Sequence, residues 1–321
     1  MEAAGWRDFL ERGADVSLKV NLGWDLFVPG SVTSPWVLDG VIEVIKGHVG
    51  KIYVVESDQV LVNCEKALAQ TGVAEVIRKH GATWQNMSKC SFEEIAVPKP
   101  RVLERVRVPE ILQRTNIVTI PVMKTHDKTT ITGALKNQWG CLPKMRHSYH
   151  PVVDDAIADI NQVVRPVFAV TDGTVGLEGD GPKSGIPKVM DLVLASGDPV
   201  AIDSVQAKIM GFDPAEIPHI TNCAEIGLGV ADAASIEIEG TQIEAAACAF
   251  RPARRNVVSR WEMGFRQSWL RKLVFDTPLF WLCCRGAIVW YLLWYYLGPG
   301  RRRVREILRH PRYGRQWRAS R

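Results

Sequence analysis

Residues 117–123 read IVTIPVM, and the polar run KTHDKTTITGALKNQWGCLPKMRHSYHP, residues 124–151, follows at once. The first stretch is continuous in apolar and β-branched residues, which predicts a buried strand ending just before Lys124. The second stretch concentrates lysine and histidine directly after that strand. Ligands of open α/β sheets bind at the carboxyl ends of strands, so this junction indicates both the fold and the candidate site.

Strand and helix patterns alternate on both sides of this junction. Ser34 followed by Pro35 is typical of a helix start, and Gly72 interrupts a longer helical pattern. Such alternation favours an α/β fold with mixed or parallel sheets covered by helices, arranged in two lobes. The predicted strands are 16–21, 51–56, 117–123, 167–170, 192–194 and 235–239, and the predicted helices are 35–48, 64–80, 154–164 and 200–210.

The charge of the chain is divided unevenly along its length. Of the 321 residues 46% are apolar and 23% charged, which is typical of a globular protein and not of a disordered one. Residues 251–321 hold 17 Lys and Arg against 3 Asp and Glu, whereas residues 1–250 hold 23 against 32. The sequence therefore predicts an acidic α/β body, residues 1–250, and a basic tail, residues 251–321.

The seven cysteines are scattered and contain no CxxC pair. This pattern argues against a zinc ribbon, a CxxC redox site and a ferredoxin-type iron–sulfur cluster. The opening sequence MEAAGWRDFL lacks the basic start and apolar run of a secretory signal. We therefore expect a cytoplasmic protein without an iron–sulfur cluster.

Residues 124–151 are the strongest candidate for a binding site, since they hold three of the seven histidines and several cations. Small residues in 129–136 would let backbone N–H groups approach an anion, and lysine and arginine favour phosphate or carboxylate. Imidazoles can transfer a proton or bind a metal. A solvated basic loop, in which the histidines only cap or pack, is the alternative. The predicted catalytic residues are His126, Lys136 and His147, and the predicted ligand-binding residues are Lys19, Asn21, Lys124, Thr132, Gly133, Asn137 and Arg146.

A second polar cluster, TDGTVGLEGDGPKSG, occupies residues 171–185. Three carboxylates on a turning backbone with five glycines could bind Mg²⁺, which prefers oxygen ligands. An imidazole could bind nickel. The alternative is that these Asp and Gly residues only make turns. The predicted metal ligands are His150, Asp172 and Asp180.

The run SGDPVAIDS, residues 196–204, carries two further carboxylates. Asp198 stands directly before a proline, which predicts the N-cap of the next helix. Asp203 lies one turn inside that helix, where it can face either the site or the solvent.

The tail combines aromatic and basic residues. Trp261, Phe265, Trp269 and Leu273 recur at helical spacing, as in an amphipathic helix that lies in a lipid headgroup region. Residues 279–297 read LFWLCCRGAIVWYLLWYYL, which as a helix would extend about 28 Å, nearly the thickness of a bilayer core. The aromatics do not interleave with the basic residues, so we expect no nucleic-acid partner.

Nine arginines follow this apolar run in residues 301–321. A single span would export them from the cytoplasm, which the positive-inside rule opposes. We therefore expect monotopic or re-entrant attachment to the cytoplasmic face of an anionic membrane. A buried core helix and an oligomer interface are the alternatives, and acylation of Cys283 or Cys284 is conceivable.

Four blocks carry a resemblance to a known family: Lys19-Val20-Asn21, residues 124–140, residues 171–185 and residues 196–204. In this order they resemble the signature blocks of the domain of unknown function 362, over about residues 15–240. The resemblance implies an α/β fold and no settled reaction. Many members carry a ferredoxin-like iron–sulfur module, for which this chain lacks the cysteines.

A fainter resemblance is to nickel-pincer racemases of the lactate racemase type. In those enzymes a histidine and a lysine stand ten residues apart on a glycine-bearing loop, and a later histidine ligates nickel. His126 and Lys136 have this interval here, with His147 or His150 beyond. The resemblance implies a shared scaffold. If the chemistry is shared as well, Lys136 would hold the cofactor and His126 would transfer a proton.

These patterns together predict a membrane-tethered cytoplasmic α/β protein that binds an anionic small molecule or cofactor. Proton transfer or metal-dependent chemistry, with nickel or magnesium, is the enzymatic form of this hypothesis. A non-catalytic, membrane-associated binding or assembly protein is the alternative. The sequence leaves substrate, reaction and oligomeric state open.

Overall fold

A mixed sheet forms the centre of the molecule. The computed structural model describes residues 1–317, so Arg318 and Arg321 of the predicted basic tail lie outside the described part. The strands are β1 (Val16–Lys19), β2 (Ile52–Glu56), β3 (Thr83–Asn86), β4 (Phe92–Ala96), β5 (Arg105–Pro109), β6 (Asn116–Thr119), β7 (Val122–His126), β8 (Thr130–Thr132), β9 (Phe168–Glu178) and β10 (Ile186–Ser196).

The helices fill the connections between the strands and make up most of the tail. They are α1 (Pro35–Ile45), α2 (Cys64–Thr71), α3 (Val73–His80), α4 (Ile111–Arg114), α5 (Ala134–Asn137), α6 (Val153–Val163), α7 (Pro199–Ile209), α8 (Pro218–Glu225), α9 (Ile243–Ala246), α10 (Val257–Gln267), α11 (Arg271–Phe275), α12 (Leu279–Tyr296) and α13 (Gly300–Arg309). Short 3₁₀ helices include Gln138–Cys141, Lys144–Val152 and Tyr313–Trp317.

The strand order of the large sheet is β3-β2-β1-β6-β9-β7-β8, and β10 pairs along β9. The central pairs β2–β1 and β1–β6 are parallel, whereas β9–β10 and β7–β8 are antiparallel. Neighbouring residues on one strand belong to different apolar cores: Val54 packs with α1 and α3, and Val55 packs with α6 and α7. Because successive side chains point to opposite faces, the sheet is covered on both sides.

This architecture confirms the predicted α/β class and corrects two details. The described strands form one large sheet and a small β4–β5 hairpin, in place of two lobes. Residues 235–239 were predicted as a strand, but they form no strand and follow the short 3₁₀ turn Ala233–Ser235.

The predicted strand 117–123 is divided into β6 and β7. Pro121 lies at the break, where it has no N–H for the ladder and its carbonyl accepts from the Asp172 N–H at 2.9 Å. Beyond the break the chain remains extended as far as His126. Lys124 and His126 therefore lie on strand β7, and not in the loop after it.

The glycine-rich block 171–185 is mostly strand. Eight of its residues continue β9, and the turn is confined to residues 179–185. Gly176 lets β9 approach β7 closely, because a Cβ there would lie 2.9 Å from the Met123 carbonyl oxygen. Glycine in this block therefore serves strand packing as well as turning.

The helix predictions are largely confirmed. α1 begins at Pro35 behind an extended Ser34, and Gly72 in the left-handed region separates α2 from α3. Asp198 caps α7 by accepting the N–H groups of Val200 and Ala201. These local signals act within a few residues, which is why the sequence alone reveals them.

Asp203 faces neither the site nor the solvent. It is fully buried, and its carboxylate accepts the backbone N–H groups of Ala134 at 2.6 Å and Leu135 at 3.0 Å. Burial raises the pKa of Asp203 to about 7, and the backbone N–H groups at the start of α5 thus bind a carboxyl group of the protein itself. Gly133 permits the approach, because a Cβ there would lie 2.2 Å from Asp203 Oδ1.

The predicted tail packs onto the body. Tyr291, Tyr295 and Trp317 belong to the same apolar core as β1 and α1, and the Tyr295 hydroxyl donates to the Phe27 carbonyl at 3.1 Å. Arg303 donates to the carbonyls of Ser184 and Gly185. The described tail therefore shares its core with the body.

Gly133→Ala tests the Asp203 contact. We expect it to lower the free energy of unfolding by about 1–3 kcal/mol, since the added methyl group must displace a buried carboxylate. Gly40→Ala is the matched control, because nothing lies within 4 Å of its Cβ position in α1 and alanine favours a helix. Urea unfolding measures both, and equal stability of the two variants would contradict the assignment.

Candidate functional site

A cavity of about 190 Å³ lies at the carboxyl ends of β1 and β2, beside β7 and α5. Lysines and an arginine from several segments surround it, and we call it the basic cavity. Its cationic lining residues are Lys19, Lys124, Lys128, Lys136, Arg146 and Lys183, and Asn21, His126, Thr132, Asn137 and His150 also line it.

Lys19 is neutralised by a carboxylate of the body. Its Nζ lies 3.0 Å from Glu56 Oε2, and both side chains are buried. Glu56 also accepts the backbone N–H groups of Leu22 and Ser57. Gly140 is required beside this pair, because a Cβ there would lie 2.8 Å from Lys19 Nζ. Lys19 therefore belongs mainly to the framework of the site.

Lys124 is held by neutral acceptors. Its Nζ donates to Asn21 Oδ1 at 2.9 Å and to the Ser31 carbonyl at 2.7 Å. Asn21 in turn donates to Asn137 Oδ1, and Asn137 donates to Thr119 Oγ1 and the Lys19 carbonyl. Burial lowers the pKa of Lys124 to about 7, because the charge of Glu56, which acts in the opposite direction, only partly offsets the loss of hydration.

Lys136 projects from α5 over the Trp139 ring, with Nζ 4.8 Å from the ring centroid. Within residues 1–317 no carboxylate lies within ion-pair distance of it. Burial, followed by the charges of Arg146, Lys128 and Lys124, lowers the pKa of Lys136 to about 7. A lysine in this state has comparable amounts of amine and ammonium near neutral pH, which suits proton exchange.

His126 is held as a neutral ring. Burial and the charge of Lys136 lower its pKa well below the usual range. The Lys128 backbone N–H lies 3.0 Å from His126 Nδ1, so Nδ1 accepts this hydrogen bond and Nε2 carries the proton. His126 can thus donate a hydrogen bond to a bound anion, and Lys136 is the better proton acceptor.

Arg146 and Lys183 complete the cationic wall. Arg146 donates through Nη1 to the carbonyls of Asp58 and Leu142, whereas its buried Nη2 has no hydrogen-bond partner among the described residues. Lys183 lies over the rings of Trp24 and Tyr291, and burial lowers its pKa to about 8. An unsatisfied buried guanidinium nitrogen favours a ligand that accepts a hydrogen bond there.

The tail closes the basic cavity through Glu262 of α10. Glu262 Oε1 lies 2.7 Å from His150 Nδ1, and Oε2 lies 3.3 Å from Lys128 Nζ. Burial alone would raise the pKa of Glu262, but His150, Lys128 and Arg266 together lower it well below its usual range. A carboxylate of the basic tail therefore connects α10 to the loop that carries the predicted site residues.

A second cavity, of about 380 Å³, adjoins the first beneath α10 and α12. We call it the apolar cavity, since Phe265, Phe275 and Phe280 line it. His147 lies here, stacked on Phe280 with ring centroids 4.7 Å apart, and burial lowers its pKa to about 4. His147 is thus separated from the predicted catalytic partners His126 and Lys136.

The predicted metal ligands are not brought together. Asp172 accepts from the Ser34 backbone N–H at 2.8 Å and from Thr174, and so caps α1. Asp180 is exposed, and His150 is engaged by Glu262. Among residues 1–317 no group of three or more His, Cys, Asp or Glu side chains is placed to hold a metal ion. The described residues thus do not fit a protein metal site, and we derive no step through one.

Several residues of the basic cavity were missed by the sequence analysis. Glu56 ends a predicted strand, a position where ligand residues are common, so its place could have identified it. Lys128 and Lys183 lie inside the blocks already singled out. Glu262 is one of only three acidic residues in the tail, and that rarity was the available signal.

A family of unknown function matches more than half of the chain. The family model of the domain of unknown function 362 matches residues 16–208, and the chain belongs to this family. The matched range includes β1, the polar run 124–151 and most of α7. This confirms the resemblance found in the sequence.

A curated relative is the thylakoid-associated protein of Synechocystis sp.. It is 31% identical over 120 residues, which cover 35% of this chain and 37% of the relative. The lactate racemase apoprotein from Thermoanaerobacterium thermosaccharolyticum is a structural neighbour with 11% identity and a TM-score of 0.42, over 69% of this chain and 51% of that chain. It belongs to the type of enzyme named above for the His126–Lys136 interval.

Acylation by an amine-reactive reagent tests the state of Lys136. We expect its rate to rise with pH through a midpoint near 7, because only the neutral amine reacts. Lys89 is the control, since its Glu65 partner raises its pKa and its rate should keep rising at higher pH. Peptide mass spectrometry measures both rates, and parallel profiles would show that Lys136 is an ordinary lysine.

Proposed function

We propose that the protein is membrane-associated and that its basic cavity binds the anionic group of a small molecule. The observation that carries this proposal is the convergence of Lys124, Lys136, Arg146 and Lys183 on one cavity. Within residues 1–317 none of the four has a carboxylate within ion-pair distance. A phosphate, sulfate or carboxylate group would supply the missing negative charge and accept a hydrogen bond from Arg146 Nη2.

The state of the side chains supports proton exchange with that ligand. Lys136 holds and releases a proton near neutral pH, and His126 presents an N–H donor. A ligand anion beside Lys136 would favour the ammonium form, so binding and proton uptake are coupled. The enzymatic role that we propose is therefore proton transfer by Lys136 to or from a bound anion, with His126 orienting it.

The tail supports membrane association. α12 is 18 residues long with a mean hydropathy of 1.2, and 22% of it is buried. Trp269, Leu282 and Leu297 are 88%, 65% and 81% exposed. Large apolar side chains exposed at several positions of one segment favour a membrane or protein contact, and exposed Arg271, Lys272 and Arg301 add attraction to anionic headgroups.

The relative described as thylakoid-associated is consistent with this proposal. α12 also contributes Tyr291 and Tyr295 to the core of the body, which favours attachment along the surface over a crossing of the bilayer. We propose that the apolar faces of α10 to α12 lie in the headgroup region of the cytoplasmic leaflet.

Sulfate binding tests the proposed anion site, because the charge of sulfate is constant between pH 6 and 9. We expect sulfate to bind about tenfold more tightly at pH 6 than at pH 8.5, since Lys124 and Lys136 are protonated below pH 7. Lys136→Met should weaken binding about 10- to 100-fold and flatten the pH dependence. Titration calorimetry measures both effects.

Lys46→Met is the matched control, as Lys46 is exposed and paired with Glu43 outside the cavity. It should leave sulfate affinity unchanged. If sulfate binds equally to both variants, or does not bind to the unmodified protein, the proposed anion site is wrong.

Vesicle cosedimentation tests membrane association. Replacing Trp269, Leu282 and Leu297 together by serine should reduce binding to phosphatidylcholine–phosphatidylglycerol vesicles at least about tenfold, because large exposed apolar side chains are lost. The matched control replaces Val102, Val193 and Val230, which are 41%, 51% and 44% exposed and belong to the body. An equal loss in both triple variants, or none in the first, would rule out the assigned surface.

A further inference from the structure

The basic cavity, here the inner part, and the apolar cavity, here the outer part, adjoin each other. They share several boundary side chains. The shared residues include Trp139, Arg146, His150, Lys183, Val258 and Glu262.

The two parts differ sharply in chemistry. The inner part is lined by Lys124, Lys136 and Arg146, whose buried Nη2 has no hydrogen-bond partner among the described residues. The outer part, of about 380 Å³, is walled by phenylalanines and by Cys284 and Ala287 of α12. Its volume lies at the small end of ordinary ligand pockets, which bind mainly through apolar contact with a few polar groups.

The outer part reaches the surface between α10 and α12. Trp261, Cys283 and Gly286 line it and are exposed. Trp281 and Leu282, which are 48% and 65% exposed, stand directly beside Cys283 on the same helix. The rim of the cavity is thus continuous with the apolar surface proposed to contact the membrane.

From this arrangement we propose that the ligand is an anionic amphiphile with a single hydrocarbon chain. Its phosphate or carboxylate head binds among Lys124, Lys136 and Arg146, and its chain fills the apolar cavity under α12. It enters from the membrane side between α10 and α12. This inference rests on the proposed anion site and defines the substrate class of that site.

A homologous series of n-alkyl phosphates with four to ten carbons tests the inference, each used below its critical micelle concentration. We expect the affinity to rise about fourfold per added CH₂ until the apolar cavity is full. n-Decanol has the chain without the anion, and sulfate has an anion without the chain. Both should bind far more weakly than n-decyl phosphate.

Two variants on α12 locate the chain. Ala287→Trp would fill the apolar cavity, and should abolish the gain with chain length while sulfate affinity is kept. Val289 lies two residues further along α12 and is 54% exposed. Val289→Trp should therefore leave the affinities of the alkyl phosphates unchanged. The series on the unmodified protein decides the inference even if Ala287→Trp does not fold.

The outcomes separate the two proposals. Sulfate binding with an affinity that is flat across the alkyl phosphates would overturn the amphiphile inference and keep the anion site. Equal binding of n-decanol and n-decyl phosphate would also overturn it, since the cavity would then select only for hydrocarbon. Tighter binding of vesicles that contain lysophosphatidic acid than of n-decyl phosphate, abolished by Ala287→Trp, would support the inference and identify a single-chain membrane lipid as the source of the head and chain.

Discussion

The arrangement of the site depends on one electrostatic constraint: four cations, two of them buried and two half-buried, share a cavity with too few carboxylates. Moving a charged side chain out of water is costly unless it is paired or becomes neutral. Lys124 and Lys136 respond by titrating near neutral pH, and Lys183 lies against aromatic faces. Arg146 keeps its charge and leaves one nitrogen without a partner. This excess of positive charge is what an anionic ligand would relieve.

The framework around these cations is built from carboxylates that already have partners within the protein. Glu56 neutralises Lys19, Asp203 caps α5, and Asp172 caps α1. Glu56 and Asp203 fix β1 and α5, which carry cavity residues, and Asp172 holds Ser34, near the Ser31 carbonyl that accepts from Lys124. The acidic side chains thus position the basic ones. Glu262 has the same role from the opposite side, where it joins the tail to His150 and Lys128. The tail thereby becomes part of the site, and the surface proposed to contact the membrane and the proposed ligand cavity share one element, α10.

Prediction from the sequence succeeded where a signal is local. The start of α1 at Pro35, the break at Gly72 and the cap at Asp198 depend on contacts within a few residues. It failed at residues 235–239 and at the length of β9, since both depend on whether a distant strand is available for pairing. Nine of the thirteen predicted site residues line the basic cavity. Gly133, His147 and Asp172 do not, because they contact Asp203, Phe280 and Ser34, which lie far away in the sequence. Asp180 is exposed.

The sequence by itself determined the alternation of strands and helices, the family, and the concentration of lysine and histidine in residues 124–151. Periodicity, capping and charge are properties of neighbouring residues, so they can be read along the chain. Only the tertiary structure decided that α10 and α12 pack over residues 124–151, that Glu262 pairs with His150, and that an apolar cavity adjoins the basic one. These facts depend on contacts between residues more than a hundred positions apart, whose geometry is set by the packing of the whole sheet and its two apolar cores.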